Sequence, residues 1–208
     1  MLSKNTQILL AALLMLLVLA CAPTRPKMAV DAVSALPGGQ VTFKEKPLHL
    51  IGSPISMGRP LPSVKLTDAM TMEDVDLSTL RDSVLFVSVV PSLDTPVCEA
   101  QTHYLAEKGT RMPPSIKRVT ISRDTPFAQK RFATEAKLTK IEYLSDYKEG
   151  AFGRATGLLI EGLMLDARAI ILVDKQGLVR YIQIVPELTH LPDMERAFDV
   201  AIELSKKD

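Results

Sequence analysis

One cysteine of this 208-residue chain lies where a thiol could act as a nucleophile. Cys98 ends the stretch "PSLDTPVC", which directly follows the apolar run Val84–Val90. That run is apolar on both faces, which is typical of a central buried strand. Thr95 is a favoured N-cap residue, and the proline after it is favoured at the first helical position. The pattern therefore predicts a helix from about Pro96 to Lys108, with the cysteine in its first turn.

The first turn of a helix favours the thiolate form of a cysteine. Unpaired backbone N–H groups point there, and the positive end of the helix dipole stabilises an anion. The thiolate is the nucleophilic form, and the hydroxyl of Thr95 could reach back toward the sulfur of Cys98. The residues alone leave one alternative open, a buried cysteine that acts only as a small apolar side chain.

The first 21 residues indicate export. Lys4 precedes an apolar block, Ile8–Ala22, which is shorter than the ~20 residues of a membrane-spanning helix and is typical of a signal peptide. The end of the block, "VLAC", resembles a bacterial lipobox, whose cysteine is lipidated and becomes the new N-terminus. We therefore predict a signal peptide over residues 1–21 and lipidation of Cys21, with a plain secretory signal as the alternative. By resemblance to envelope lipoproteins, the alanine that follows favours the outer membrane of a bacterial envelope, facing the periplasm.

Lipidation of Cys21 would leave Cys98 as the only thiol of the mature chain, because the sequence contains two cysteines. The mature chain would then have no structural disulfide. The full chain has a formal net charge of +1 and contains no basic block, so nucleic acid is not an expected partner. The histidines are scattered without metal-ligand spacing, and no metal site is predicted.

The remaining sequence predicts a tether and one domain. Residues 22–40 are rich in proline and small residues and indicate a flexible tether, followed by a domain over 41–208. In the domain, strand-like and helix-like segments alternate, beginning with a hairpin that turns near Glu45 to Pro47 and ending with a hairpin that turns at Asp174 to Gly177 and a last helix. This order predicts an α/β, thioredoxin-like fold, in which helices flank a central mixed sheet that follows an N-terminal β-hairpin.

Several segments resemble one family. Pro91, Thr95 and Cys98 match the P-x-x-x-T-x-x-C signature of peroxiredoxins, and "DTPVC" resembles the thiol peroxidase subfamily. The segments "VTFKEKPLHLIG", "ISRDTPFAQKRF" and "LDARAIILVDKQGLVRYIQIVPELT" resemble further parts of that subfamily, so the resemblance covers most of residues 41–205. It implies a thiol-dependent peroxidase that reduces hydrogen peroxide or alkyl hydroperoxides without a metal or organic cofactor, and it suggests a homodimer.

The resemblance also implies a role for each matching residue. Cys98 would attack the peroxide O–O bond, Thr95 would hydrogen-bond the sulfur and the incoming oxygen, and Pro91 would shield the thiolate from water. Arg168, in "LDARAII", would stabilise the thiolate and the charge that develops on the peroxide. Taken by itself, this arginine could equally form a surface ion pair with Asp166.

The chain departs from two-cysteine thiol peroxidases at one position. "KRFATEA" has Ala133 where those relatives carry the resolving cysteine. An external thiol or a second copy of the protein would therefore have to reduce the sulfenic acid of Cys98. Two other function classes stay open, a lipid-anchored peroxide sensor without fast turnover and a non-catalytic envelope protein that has kept the fold.

Overall fold

The computed structural model describes residues 28–207, so the predicted signal peptide, Cys21 and the first part of the tether lie outside the described residues. Its strands are β1 Val30–Asp31, β2 Gln40–Phe43, β3 Lys46–Ile51, β4 Leu66–Asp68, β5 Asp74–Val75, β6 Leu85–Val89, β7 Lys117–Ser122, β8 Glu142–Ser145, β9 Leu159–Ile160, β10 Ala169–Val173, β11 Val179–Ile184 and β12 Leu191–Pro192. Its α-helices are α1 Pro96–Lys108, α2 Pro126–Ala136, α3 Ala151–Thr156 and α4 Met194–Ser205. Among these helices, none has the length and apolar character that crossing a bilayer requires.

A mixed sheet of seven strands forms the centre of the domain, in the order β11-β10-β6-β7-β8-β4-β5. Strands β6, β7 and β8 are parallel, whereas β10 runs antiparallel to both β6 and β11. A second sheet has the order β2-β3-β9 and contains the predicted N-terminal hairpin. The central mixed sheet and the hairpin are therefore confirmed.

Both faces of the central sheet are covered because its middle strand is apolar on both sides. In β6, Leu85 and Val87 belong to a core with α3 and the three-stranded sheet, whereas Phe86 belongs to a core with α1, α2 and α4. All three side chains are fully buried. The prediction of a central buried strand is confirmed.

The N-terminal hairpin turns one residue earlier than predicted. Its turn consists of Lys44 and Glu45, which have positive φ angles of 51° and 67°, while Pro47 pairs with Thr42 inside the ladder. The carboxylate of Glu187 accepts hydrogen bonds from both turn amides, at 3.0 and 3.1 Å. This distant acceptor stabilises a left-handed turn that the local sequence does not predict.

The Glu187 carboxylate also links the hairpin to the segment between β11 and β12. Glu187 also accepts hydrogen bonds from the hydroxyls of Thr42 and Thr189, each at 2.8 Å. Burial opposes its ionisation, yet its hydrogen bonds together lower the pKa of Glu187 to about 2. The hairpin tip is thus held against residues 187–189 by the hydrogen bonds of the Glu187 carboxylate.

Part of the predicted tether is docked on the domain. Strand β1 pairs in parallel with β12, and the Gln183 side chain donates to the Asp31 carbonyl at 2.6 Å. The Asp31 carboxylate also lies 3.0 Å from the His190 ring. These are mostly main-chain and single polar contacts, which leave no apolar periodicity in the sequence from which docking could be predicted. The described stretch of the tether is therefore bound to the domain.

A buried carboxyl group precedes β10. Asp166 is fully buried, and within the described residues neither of its side-chain oxygens has a hydrogen-bond partner. Burial, with a contribution from the charge of Asp146, raises the pKa of Asp166 to about 8, although Arg123 opposes the shift. The ion pair with Arg168 that the sequence left open is not formed among the described residues.

Neutralising Asp166 should stabilise the protein in a defined pH range. The carboxyl keeps its proton up to about pH 8 when folded but titrates near ~3.9 when unfolded, so its contribution to stability falls as pH rises between those values. Asp166→Asn should therefore raise the free energy of unfolding at neutral pH and above, and this gain should vanish near about pH 4. Urea denaturation across this range measures it. The exposed Glu142→Gln is the control, and a pH-independent loss of stability in Asp166→Asn would contradict the assignment.

Candidate active site

Cys98 occupies the first turn of α1, as predicted. Thr95 is the N-cap residue, with φ −135° and ψ 144°, and its carbonyl accepts the first helical hydrogen bond, from Glu99, at 2.9 Å. Cys98 is the third residue of the helix and is only 1% exposed. The sulfur therefore lies at the positive end of a 13-residue helix, which favours a thiolate.

Arg168 is the polar group that contacts this sulfur. Its Nη2 donates to Cys98 Sγ at 3.4 Å and to the Leu188 carbonyl at 3.0 Å. Its Nη1 donates to Gln101 Oε1 at 2.8 Å. The arginine lies just before β10, and because β10 is antiparallel to β6, the start of β10 meets the end of β6 that leads to Cys98.

The charge of Arg168 has no carboxylate partner among the described residues, where none of the ion pairs includes it. The residue is only 2% exposed, and a buried charge is costly unless a countercharge or hydrogen bonds compensate it. Its other acceptors, the Gln101 amide and the Leu188 carbonyl, are neutral. Among the contacts of Arg168 in the described part of the chain, only the Cys98 sulfur can carry a negative charge, as a thiolate.

Gln101 is a site residue that the sequence analysis missed. It is fully buried, accepts from Arg168 and donates through Nε2 to Ser88 Oγ at 2.8 Å. Two signals could have identified it, because Gln101 lies one helical turn after Cys98 and Ser88 is the only polar residue in the apolar run before it. The Gln101 amide accepts from Nη1 while Nη2 contacts the sulfur, so both contacts orient the guanidinium against α1.

The structure places Thr95 and Pro91 at the same cavity as Cys98 and Arg168. The Thr95 hydroxyl, however, donates to the Ser92 carbonyl at 2.9 Å and makes no side-chain capping bond. The predicted reach of this hydroxyl toward the sulfur is therefore not present in this structure. The hydroxyl proton is used in the bond to the Ser92 carbonyl and is therefore not directed at the sulfur.

The loop before α1 is anchored by an aspartate on the neighbouring strand connection. Asp124 follows β7 and accepts from Ser92 Oγ and from the Leu93 amide, both at 2.7 Å. The Ser122 hydroxyl donates to the same carboxylate at 2.7 Å. These contacts fix the loop that precedes Cys98 to the end of a core strand.

The cavity at the cysteine has a volume of about 420 Å³. Its walls are mainly apolar and include Phe43, Val97, Leu163, Leu165 and Leu188. A thiolate and a guanidinium at one end of such a cavity can hold an electrophile in line with the sulfur and stabilise negative charge on a leaving oxygen.

Ala133 lies in the apolar core that also contains Cys98. It is on α2 and 4% exposed, and the same core includes Val90 and Leu93 from the segment before α1. The described residues contain one cysteine, Cys98, and its thiol is free. No other described residue can form a disulfide with it within one chain.

Comparison with known proteins identifies close relatives. The Redoxin family model matches residues 56–198. A thiol peroxidase of Staphylococcus saprophyticus is 39% identical over 77% of this chain and 96% of its own length, and one of Bacillus subtilis is 35% identical over 80% and 99%.

Solved structures share the fold. A peroxiredoxin-like protein from Aquifex aeolicus has a TM-score of 0.75 and 31% identity over 80% of this chain and 97% of its own. A thiol peroxidase from Chromobacterium violaceum has a TM-score of 0.68 over 82% and 98%, and at 22% identity this likeness shows the fold alone. The predicted thioredoxin-like fold is confirmed.

Removing either support of the sulfur should slow its reaction with peroxide. We expect Arg168→Met to lower the rate constant of Cys98 oxidation about 100-fold, because a preorganised charge donor is lost. Gln101→Met should lower it about tenfold, because the guanidinium loses a charge-assisted hydrogen bond. Timed alkylation of the remaining thiol measures both rates.

The control for these variants is Gln176→Met, in the exposed turn after Asp174, which should react at the parent rate. Circular dichroism confirms that each variant is folded. A parent-like rate in folded Arg168→Met would contradict the assignment of the site.

Proposed function

The chain belongs to the redoxin family, in its thiol peroxidase subfamily, and from this premise we propose that Cys98 is its peroxidatic cysteine. As a member of this subfamily the protein is a thiol-dependent peroxidase. The observation that carries the residue assignment is the 3.4 Å contact between Arg168 Nη2 and Cys98 Sγ in a buried cavity. The proposal extends to Pro91 as a shield of the sulfur from water and to Thr95 as a ligand of the incoming peroxide.

The first step oxidises sulfur by two electrons. The Cys98 thiolate attacks the terminal oxygen of a hydroperoxide, an S–O bond forms and the O–O bond breaks. The departing oxygen takes a proton and leaves as an alcohol, or as water from hydrogen peroxide. Arg168 stabilises the charge on this oxygen, and the product on the enzyme is the sulfenic acid of Cys98.

The second step needs a thiol from another molecule. Two external thiols reduce the sulfenic acid, which returns Cys98 to a thiol and releases one disulfide and one water. Ala133 supports this proposal because it stands where two-cysteine relatives carry the resolving cysteine. The reductant is thus a thiol compound or a thiol protein.

The cavity walls support organic hydroperoxides as substrates in addition to hydrogen peroxide. Phe43, Leu163 and Leu165 form an apolar surface beside the sulfur, and burial of a hydrocarbon chain there contributes ~25 cal/mol per Å². A homodimer is proposed on the resemblance alone.

We further propose that the mature protein is lipid-anchored in the bacterial cell envelope through Cys21. The short apolar core and its "VLAC" end support this. Mass spectrometry of protein purified from envelope membranes should find a lipidated N-terminal residue 21, and Cys21→Ser should abolish membrane attachment. An unmodified N-terminus in a soluble periplasmic fraction would contradict it.

Oxidation of the protein should end on one sulfur. One equivalent of peroxide should give a sulfenic acid that dimedone traps at Cys98, or a Cys98–Cys98 dimer, and excess peroxide should give the sulfinic acid. Sustained peroxide consumption with dithiothreitol should distinguish the enzyme from a sensor that turns over slowly. Cys98→Ser is the control and should consume no peroxide. A folded parent protein that also consumes no peroxide would contradict the proposed function.

Ala133→Cys should restore internal resolution. A second thiol in the core beside α1 can compete for the sulfenic acid, so this variant should form a 98–133 disulfide and resist overoxidation, provided that α2 approaches the sulfur after oxidation. Peptide mapping after peroxide treatment detects the bond.

The matched control is Ala106→Cys, which lies on α1 itself. It is eight residues beyond Cys98, ~12 Å along the helix axis, too far for a disulfide. Sulfinic acid formation at the parent rate in Ala133→Cys would show that α2 is not the former resolving element.

A further inference from the structure

The N-terminal segment reaches the domain beside the mouth of the cavity. Strand β1 pairs with β12 in parallel, with Val30 opposite Leu191, and the Leu191 amide donates to the Ala29 carbonyl at 2.8 Å. Because the pairing is parallel, the chain followed toward its N-terminus runs toward Thr189, which lines the cavity. The membrane-proximal end of the described chain thus points to the active-site side of the domain.

This docking shortens the connection to the proposed lipid anchor. Six residues separate Cys21 from Met28, and a fully extended chain of that length spans at most ~25 Å. A free tether over residues 22–40 would span ~70 Å. A domain of about 180 residues has a radius of gyration of ~16 Å and hence a diameter of ~40 Å. Because the connection of ~25 Å is shorter than this diameter, the side of the domain opposite β1 cannot reach the bilayer.

Exposed apolar side chains lie at the cavity, because Phe43 and Leu163 line it and Met164 follows Leu163 in the chain. Phe43 is 45% exposed, Leu163 50% and Met164 38%, and we call these three residues the rim. Lys44 lies beside the Phe43 ring, with Nζ 5.7 Å from its centroid, and Lys46 is exposed on the same hairpin. An aromatic and aliphatic surface flanked by lysines matches the membrane interface, where apolar groups enter the acyl boundary and ammonium groups remain among headgroups.

We propose that the rim is a bilayer-contact surface that presents the Cys98 cavity to hydroperoxides of membrane phospholipids. This inference rests on the proposed anchor and on the proposed peroxidase activity. The docked segment turns the rim toward the membrane, and the rim inserts at the headgroup boundary. The oxidised acyl chain enters the apolar cavity, and the chemistry is that of the first step above, with a phospholipid alcohol as product.

A single-tryptophan experiment tests the contact independently of activity, because the chain contains no tryptophan. Phe43→Trp and, separately, Leu163→Trp are prepared in the full lipidated protein and reconstituted into phosphatidylethanolamine and phosphatidylglycerol vesicles with brominated acyl chains. Quenching should be at least about twofold greater than for Phe127→Trp, because an interfacial group penetrates ~5–10 Å. Phe127 is 71% exposed, on α2, and is the matched control.

A second arm tests the length of the connection. A flexible insertion of ~20 glycine and serine residues within 22–27 increases the reach of the connection between Cys21 and Met28 by ~100% or more. It should lower the rate on vesicle-bound phosphatidylcholine hydroperoxide at least about fivefold while the rate on hydrogen peroxide stays at the parent value.

Different failures are distinguishable. Equal quenching at positions 43, 163 and 127, or an insertion that leaves the phospholipid rate unchanged, would overturn the inference with the peroxidase intact. If the tryptophan at position 43 became shielded from solvent with rising protein concentration in the absence of vesicles, the rim would be covered by a second copy of the protein, and the inference would be overturned. A parent protein that reduces no hydroperoxide would refute the proposed function, while the quenching still decides the membrane contact.

Discussion

The contact between a buried guanidinium and a buried sulfur is the constraint on which the site depends. Arg168 is 2% exposed and Cys98 is 1% exposed, and the other groups that accept hydrogen bonds from the arginine are neutral. A cation in this position is stabilised most when the sulfur is ionised. The free energy of burying the guanidinium is therefore linked to activation of the nucleophile, since the thiolate form of the cysteine compensates the buried positive charge.

The sheet makes this contact possible. Cys98 follows β6 and Arg168 precedes β10, and the antiparallel pairing of these two central strands brings residues 70 positions apart to one end of the sheet. The surrounding polar groups then restrict the geometry. Gln101 holds the guanidinium from α1, and Asp124 holds the loop before the helix. The helix start, the strand pair and the loop anchor each come from a different part of the chain, and they converge on one sulfur atom.

Local sequence signals predicted the elements but not the long-range polar contacts. The N-cap threonine and the following proline predicted α1 with its bounds, and the two-faced apolar run predicted β6, because these features depend on neighbours in sequence. The hairpin turn was displaced by a distant acceptor, Glu187, and the tether was docked through main-chain pairing with β12. Such contacts depend on which strands become neighbours, which periodicity does not encode.

The site followed the same division. The thiol and the residues matching the family signature were predictable because their types and spacing are distinctive. Gln101 was missed because a buried glutamine has no distinctive spacing until its partner, Arg168, is placed beside it. The predicted reach of the Thr95 hydroxyl toward the sulfur is absent because the hydroxyl donates to the nearby Ser92 carbonyl, and its role toward a peroxide stays a prediction.

The contact between Arg168 and Cys98 stabilises negative charge on the reacting sulfur, and ultraviolet thiolate absorbance tests this most directly. The absence of tryptophan gives a low background, and Cys98→Ser provides the blank. At the same pH, the thiolate band of the parent protein should be clearly stronger than that of folded Arg168→Met. Equal bands in the two proteins, or no band in the parent, would contradict it.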